Sequence, residues 1–192
     1  MKCVKCGKKA EIALPHIAAC SSCFTGIIQK RVRKEIRINR LVRKNDRLLI
    51  LDDDTSAAKL AAYLLRVILK PVPLSMQVRK RQYAPGDSIK GNFNKIVLAW
   101  TQEDEADYFL DSFFADKVPY YIGHFTLDKK KYIKPLLHVS KKEADLYAKI
   151  KNFKFTKSEE TDIVKMLDRL NKNHPEIIFN INNNIQKLKY AY

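Results

Sequence analysis

The stretch RLLILDDDTSAAKLAAYLLRVIL, Arg47 to Leu69, decides the fold. It opens on an apolar run, Arg47 to Leu51, of the length of a buried strand. Asp52, Asp53, Asp54, Thr55 and Ser56 end that run with side chains that cap helices. From Ala57 to about Leu69 the apolar spacing predicts a helix. The same order recurs at Lys95 to Trp100 (KIVLAW), Thr101 to Glu105, and an amphipathic segment through about Ala115. Repeated strand-loop-helix units predict a parallel sheet, and so an α/β fold.

Downstream, Pro119 to Phe125 and Tyr132 to Lys134 are short extended candidates, and Ser140 with Glu143 forms a capping box opening a helix to about Lys151. Ser158 is positioned to cap a helix reaching about Leu170, and Pro175 to open another through about Leu188. The tail from Asn180 to Tyr192 carries Ile181, Ile185 and Leu188, too apolar for a free arm, and is expected to dock on the domain or on a partner. Between the two strand-loop-helix units, Pro71 to Asn94 reads as a turn-rich, mobile connector carrying the basic cluster Arg79-Lys80-Arg81.

Upstream, Phe24 to Leu41 reads as a helix with two faces. Phe24, Ile27, Ile28, Val32 and Ile36 fall on one, while Lys30, Arg33, Lys34, Arg37 and Arg40 fall largely on the other. Glu35 is the one acid in the run, so the mixed-sign pairing of an ordinary solvent-facing helix is missing. Residues 1 to 50 hold 13 Lys and Arg against 3 acids, within a chain of 192 residues and net charge +16. The physical complement of such a charge is a polyanion, bound with release of counterions. The expected RNA-binding residues are Lys30, Arg31, Arg33, Lys34, Arg37, Arg40, Arg43 and Lys44.

All four cysteines lie in the first 23 residues, as Cys3/Cys6 and Cys20/Cys23, separated by the 13 residues from Gly7 to Ala19. A secreted disulfide scaffold would scatter them; paired Cys-x-x-Cys knuckles are the layout of a zinc ribbon, with Gly7 suited to the knuckle turn. A structural four-cysteine zinc site is expected, with a redox or iron site as the alternative; four thiolates leave His16 no vacancy. No apolar run has the length of a membrane span and no signal-peptide core follows the N-terminus, so a cytoplasmic protein is expected.

In an open α/β sheet, ligands bind beyond the carboxyl ends of the strands, at the loops after Leu51 and Trp100. A phosphate-binding loop needs glycine and free helix N-terminal N–H groups; the first loop offers three carboxylates instead. These are read as helix-capping residues, a magnesium site being the alternative. His124, His138 and His174 are isolated, with no Cys or Ser positioned to make a recognisable nucleophile and base pair. Trp100, Tyr108, Phe109, Phe113 and Phe114, spaced helically with Leu110, are assigned to the core or a dimer face and not to base stacking.

The paired knuckles, the phrase CFTGIIQKRVRKEIR, a strand and helix, LAWTQEDEADYFLDSFF and IKPLLHVSKKEADLYAKIKNFKF together resemble the PP-loop tRNA 2-thiolation proteins, over most of the chain. The likeness is to the thiouridine synthetase A type and the cytosolic wobble-uridine thiolation complex. Active members bind ATP through a Ser-Gly-Gly-x-Asp-Ser loop after the first strand, adenylate a uridine at its 2-carbonyl, and hold an iron-sulfur cluster on internal cysteines. Here DDDTSAAKL occupies the loop position without a glycine. Ala99-Trp100-Thr101-Gln102-Glu103-Asp104-Glu105-Ala106 keeps only the acidic end of the family's Gly-His-Asn-x-Asp-Asp-Glu-Ala element, and Pro135-Leu136-Leu137 lacks the arginine of its Pro-Leu-Arg stretch. No cysteine follows Cys23.

The resemblance therefore implies a degenerate, non-catalytic member: a zinc ribbon at 1–25, a basic linking helix at 26–46, and a reduced PP-loop-like (adenine nucleotide alpha hydrolase-like) parallel-sheet domain with C-terminal helices at 47–192. It implies structural zinc, no ATP and no iron-sulfur cluster, and no catalytic or cofactor-binding residues. The expected partners are tRNA and a catalytic PP-loop thiolase paralogue, or a second copy of the chain. The alternatives are an ATP-using tRNA thiolase with an altered loop, or a stand-alone zinc-ribbon nucleic-acid-binding protein.

Overall fold

A computed structural model describes residues 1–83, 89–117, 132–157 and 160–191, with side chains through 188. Four strands form a fully parallel sheet in the order β4-β3-β5-β6: β3 is Arg47–Asp52, β4 Ser75–Lys80, β5 Lys95–Val97 and β6 Tyr132–Ile133. The chain leaves β3 through α2 (Ser56–Ile68) to β4 on one side, then crosses to β5 on the other. The crevice beyond the carboxyl ends of β3 and β5 is therefore the switch point of a doubly wound sheet.

The apolar run of β3 is buried on both faces because its side chains alternate between two cores. Leu48 and Ile50 join Val97, Ile133 and the inner faces of α1 (Ser21–Ile38), α2 and α4 (Lys141–Ile150). Leu49 and Leu51 face the other way, with Ile96, Leu98, Tyr132 and Ile185 of α6 (Ile177–Ala191). A third cluster of Ala106, Leu167 and Ile178 ties α6 to α3 (Gln102–Phe114) and α5 (Asp162–Asn173). The tail from 180 thus docks on its own domain.

At the N-terminus, β1 (Ile12–Leu14) and β2 (Ile17–Ala19) pair antiparallel across Pro15 and His16. Ile12, Ile17 and Ala19 belong to the same buried cluster as α1 and β3, so the ribbon is seated on one face of the sheet. Glu143, 1% exposed, fastens this junction. Besides closing the capping box of α4 with Ser140, it accepts from Arg31 Nη1 at 2.7 Å and pairs with His16 Nε2 at 3.0 Å.

Several elements differ from the sequence reading. The segment 71–94 holds β4, which pairs with β3 over six residues; its polar, exposed composition suits an edge strand and carries no strand periodicity. Its residues 84–88 lie outside the described residues, as do Pro119 to Phe125 with His124, and Ser158. Thr161 caps α5, accepting from Val164 N–H. Pro175 precedes α6 in a turn closed by Ile177 N–H on the His174 carbonyl at 3.0 Å. α1 begins at Ser21, so Cys23 sits in its first turn. β5 ends at Val97, although Leu98 N–H still reaches the Ile133 carbonyl at 2.9 Å. Phe113 and Phe114 are 58% and 65% exposed and belong to none of the buried clusters, whereas Trp100, Tyr108 and Phe109 pack against the second core.

Candidate functional site

Three separate features are candidates: four thiols, a basic helix face and the switch-point crevice, and among the described residues the crevice is lined by none of the thiols and by no residue of α1. The first knuckle turns at Gly7, whose φ of +73° is left-handed and costs glycine nothing; Gly7 N–H bonds the Cys3 carbonyl at 3.0 Å. Cys3 N–H bonds the Lys8 carbonyl at 2.7 Å, closing the loop around the thiols. Cys20 and Cys23 are held by the N-terminus of α1, Cys20 being its N-cap residue. The four sulfurs lie within 4.8 Å of one another, with Cys6 Sγ 3.7 Å from Cys20 Sγ. A tetrahedral ion with metal–sulfur bonds of about 2.3 Å spaces its ligands by about 3.8 Å, so the group fits a metal as it stands. Backbone N–H groups of Cys20, Lys5 and Cys6 draw the Cys3 thiol down to about 6, while the crowding of Cys6 and Cys20 pushes Cys23 up to about 12. Four thiols this close cannot all ionise without a cation among them.

The basic face of α1 is presented as expected. Lys30, Arg33, Lys34 and Arg37 are exposed on one stripe of the helix, continued past its end by Arg40, Arg43 and Lys44. Glu35 is absent from that stripe. It is 7% exposed, accepts from Asn39 Nδ2 at 2.6 Å and pairs with His138 Nε2 at 3.2 Å. Arg31 lies on the inner side, its guanidinium engaged by Glu143 and the His138 carbonyl.

The switch-point crevice encloses about 810 Å³. Its floor is the loop after β3, and that loop is filled by its own side chains. Asp52 Oδ1 accepts from Asp54 N–H, Asp53 Oδ1 from Thr55 N–H, and Thr55 Oγ1 from Ala58 N–H. Ser56 Oγ donates to Asp145 at 2.5 Å. Lys59 reaches Asp52 at 2.7 Å and Asp54 at 2.6 Å, and Lys80 of β4 reaches Asp54 at 3.2 Å. Lys59 and then Lys80 hold the Asp54 carboxyl below its ordinary range; Lys59, against its burial, is held above its own by the two aspartates. Three N–H donors of this turn, those of Asp54, Thr55 and Ala58, and the ammonium groups of Lys59 and Lys80 are thus bonded to the loop's own oxygens, where other loops of this position cradle a phosphate. The capping expected of the aspartates is met by Thr55, with Asp52 and Asp53 bracing the turn.

On the opposite wall, Thr101 caps α3 in a capping box with Asp104. Glu103 accepts from Lys141 N–H at 2.9 Å, and Lys141 Nζ bridges to Asp104 at 2.9 Å. Burial, with Asp104 adding to it, raises Glu103 to about 7. The folded state therefore holds a proton on Glu103 between the unfolded carboxyl pKa and about 7, and stability falls as pH rises through that window. Glu103→Gln, which keeps the acceptor oxygen, is expected to raise unfolding free energy by about 1–3 kcal/mol at pH 8 and by nothing near pH 4. Urea unfolding at the two pH values checks this.

No family profile and no curated protein matches the sequence. Among solved structures, the chain is similar to "U34-tRNA thiolase NcsA from Methanococcus maripaludis with its [4Fe-4S] cluster" at a TM-score of 0.81, with 17% identity, covering 100% of this chain and 88% of that one. The two share a fold. The expected PP-loop-thiolase-like α/β architecture is thereby met. The expectation that no iron-sulfur cluster is carried is corrected: the similar structure carries a [4Fe-4S] cluster, and this chain gathers four cysteine thiols in one place. Sulfur-only ligand sets serve zinc and iron-sulfur centres alike, so an iron-sulfur centre is plausible here. Among the described residues no helix is long and apolar enough to cross a membrane.

Sequence reasoning found the thiols, the basic face and the loop. It missed Lys59 and Lys80 as the counter-ions of the aspartates. Lys59 was legible from its place in the first turn of a helix that follows the aspartates directly, whereas Lys80 arrives from a strand with no sequence signal.

Proposed function

We propose that this chain is a non-catalytic, tRNA-binding subunit of a tRNA uridine 2-thiolation enzyme, and that it associates with a catalytic PP-loop paralogue. One observation carries the reading: at the switch point, the loop after β3 is braced by its own side chains, the N–H groups of Asp54, Thr55 and Ala58 bonded to Asp52, Asp53 and Thr55, and Lys59 to Asp52 and Asp54. A triphosphate would meet carboxylates where it needs N–H groups. The likeness in fold to a U34-tRNA thiolase supports the connection to tRNA thiolation, and the acid-free stripe of α1 supports RNA contact. The phosphate track consists of Lys30, Arg33, Lys34, Arg37, Arg40, Arg43 and Lys44. Arg31, tied to Glu143, fastens α1 to α4 and is left out of it.

In this reading the protein positions tRNA and the paralogue activates the uridine. Purified protein incubated with tRNA and magnesium ATP is expected to release no pyrophosphate above a protein-free control. Pyrophosphate release stimulated by tRNA would overturn the proposal in favour of a self-sufficient enzyme.

A further inference from the structure

A second cavity, of about 760 Å³, opens away from the switch point, between the C-terminal half of α1, α6 and the segment after β6. That volume is in the range of small-ligand sites, about 300–1,000 Å³. Lys34 and Ile38 of α1 stand on one wall, and Phe179, Asn182, Asn183 and Gln186 of α6 on the other. Phe179 and Ile38 are 53% and 59% exposed, so aromatic and aliphatic surface is presented to whatever enters. Among the described residues the one acid lining the cavity, Glu35, is already bonded to Asn39 and His138.

Asn182 supplies the decisive detail. It is 9% exposed, and its Nδ2 donates to the Gln102 carbonyl at 2.8 Å. Only the amide nitrogen can donate to a carbonyl, which fixes the orientation and leaves Oδ1 as the acceptor. That Oδ1 is buried and has no hydrogen-bond partner. A buried acceptor without a donor is costly, and a water or a ligand N–H that reaches it removes the cost.

A flat ring face, an edge carrying N–H groups and an attached anion are the properties of a nucleotide. Phe179 offers the ring a stacking surface, Lys34 meets the phosphate, and Asn182 accepts from the edge once a small side-chain shift uncovers its Oδ1. Lys34 also belongs to the basic stripe of α1, so the cavity opens beside the proposed RNA track. We infer that this cavity receives one unstacked nucleotide of the RNA lying along α1; the inference rests on the RNA-binding part of the function proposed above.

The test is an anisotropy titration of the full chain with a labelled tRNA transcript over a series of salt concentrations. It compares wild type with Phe179→Ala, Asn182→Leu and the triple variant Arg33→Glu, Arg37→Glu, Arg40→Glu, each checked for folding by circular dichroism. Phe179→Ala and Asn182→Leu are each expected to lose roughly ten-fold in affinity with the salt slope unchanged, because stacking and a base-edge bond involve no counterion. The triple variant lowers the slope. If the cavity variants bind as wild type does while the triple variant loses affinity, the cavity inference falls and the RNA reading stands. Phe179 is half exposed, so its variant decides alone should Asn182→Leu fail to fold.

A second arm titrates uridine 5′-monophosphate and its three counterparts while hydrogen exchange is followed in α6. Protection of α6 by a monophosphate in a protein that binds no tRNA would replace the RNA-borne nucleotide by a free one. With neither tRNA binding nor protection, both the cavity inference and the RNA reading fall.

Discussion

Reversing Arg33, Arg37 and Arg40 to glutamate should lower tRNA affinity by roughly a hundred-fold at physiological salt and reduce the salt slope by about three. The three side chains are exposed on or just past the basic stripe of α1, opposite the residues that seat the helix, Phe24, Ile28, Val32 and Ile36. Their removal takes away neutralised phosphates without opening the core, and reversal adds repulsion to the loss. Folding should survive: substitutions at exposed sites typically cost within about 0.5 kcal/mol each, with a further fraction lost at Arg37, which faces the negative end of the helix dipole. Filter binding at four salt concentrations reads both quantities. Wild-type affinity and slope in the folded triple variant would remove the basic helix from the account.

The second large effect is expected at Cys20. Its side chain is one of four gathered sulfurs, while its backbone caps α1 and follows directly on β2. Cys20→Ser leaves three thiols, and the bound metal should be lost in full, about one ion or one cluster per chain. Elemental analysis for zinc and iron, with the visible spectrum for iron-sulfur absorption, reads the loss and identifies the centre. In small metal domains binding energy is folding energy. Ile12, Ile17 and Ala19 of the ribbon share the main core, so the damage is not confined to the first residues. A loss of about 3–5 kcal/mol corresponds to a melting temperature lower by about 10 °C for a chain of this size. A serine variant with full metal content and an unchanged melt would show that the thiols do not act as a metal site.

Much of this arrangement was legible because it is local. The apolar run of β3, its polar break and the amphipathic α2 adjoin in sequence, and the capping box at Ser140 with Glu143 is a local signal at a spacing of three. The knuckles are legible for the same reason. What stayed hidden depends on distant partners. β4 is a strand because β3 offers it a ladder, not because SMQVRK has a strand pattern. Arg31 looks identical to its neighbours until α4 brings Glu143 to it, and Glu35 looks like a surface acid until His138 and Asn39 enclose it. The knuckles leave zinc and iron both open, and it was the absence of cysteines after Cys23 that led to the expectation of no iron-sulfur cluster; that expectation failed because four cysteines specify thiolate ligation, and thiolate ligation does not choose between zinc and a cluster.

Whether this chain works beside an active thiolase is tested most directly by purification of the intact protein from its native cells, with mass spectrometry of the proteins and sequencing of the RNA that come with it. The expected result is tRNA together with a PP-loop protein whose first loop reads Ser-Gly-Gly-x-Asp-Ser. Recovery of ribosomes or other RNA with no such protein would contradict it, and would leave the four-cysteine ribbon and its basic helix as a nucleic-acid-binding module on an inherited fold.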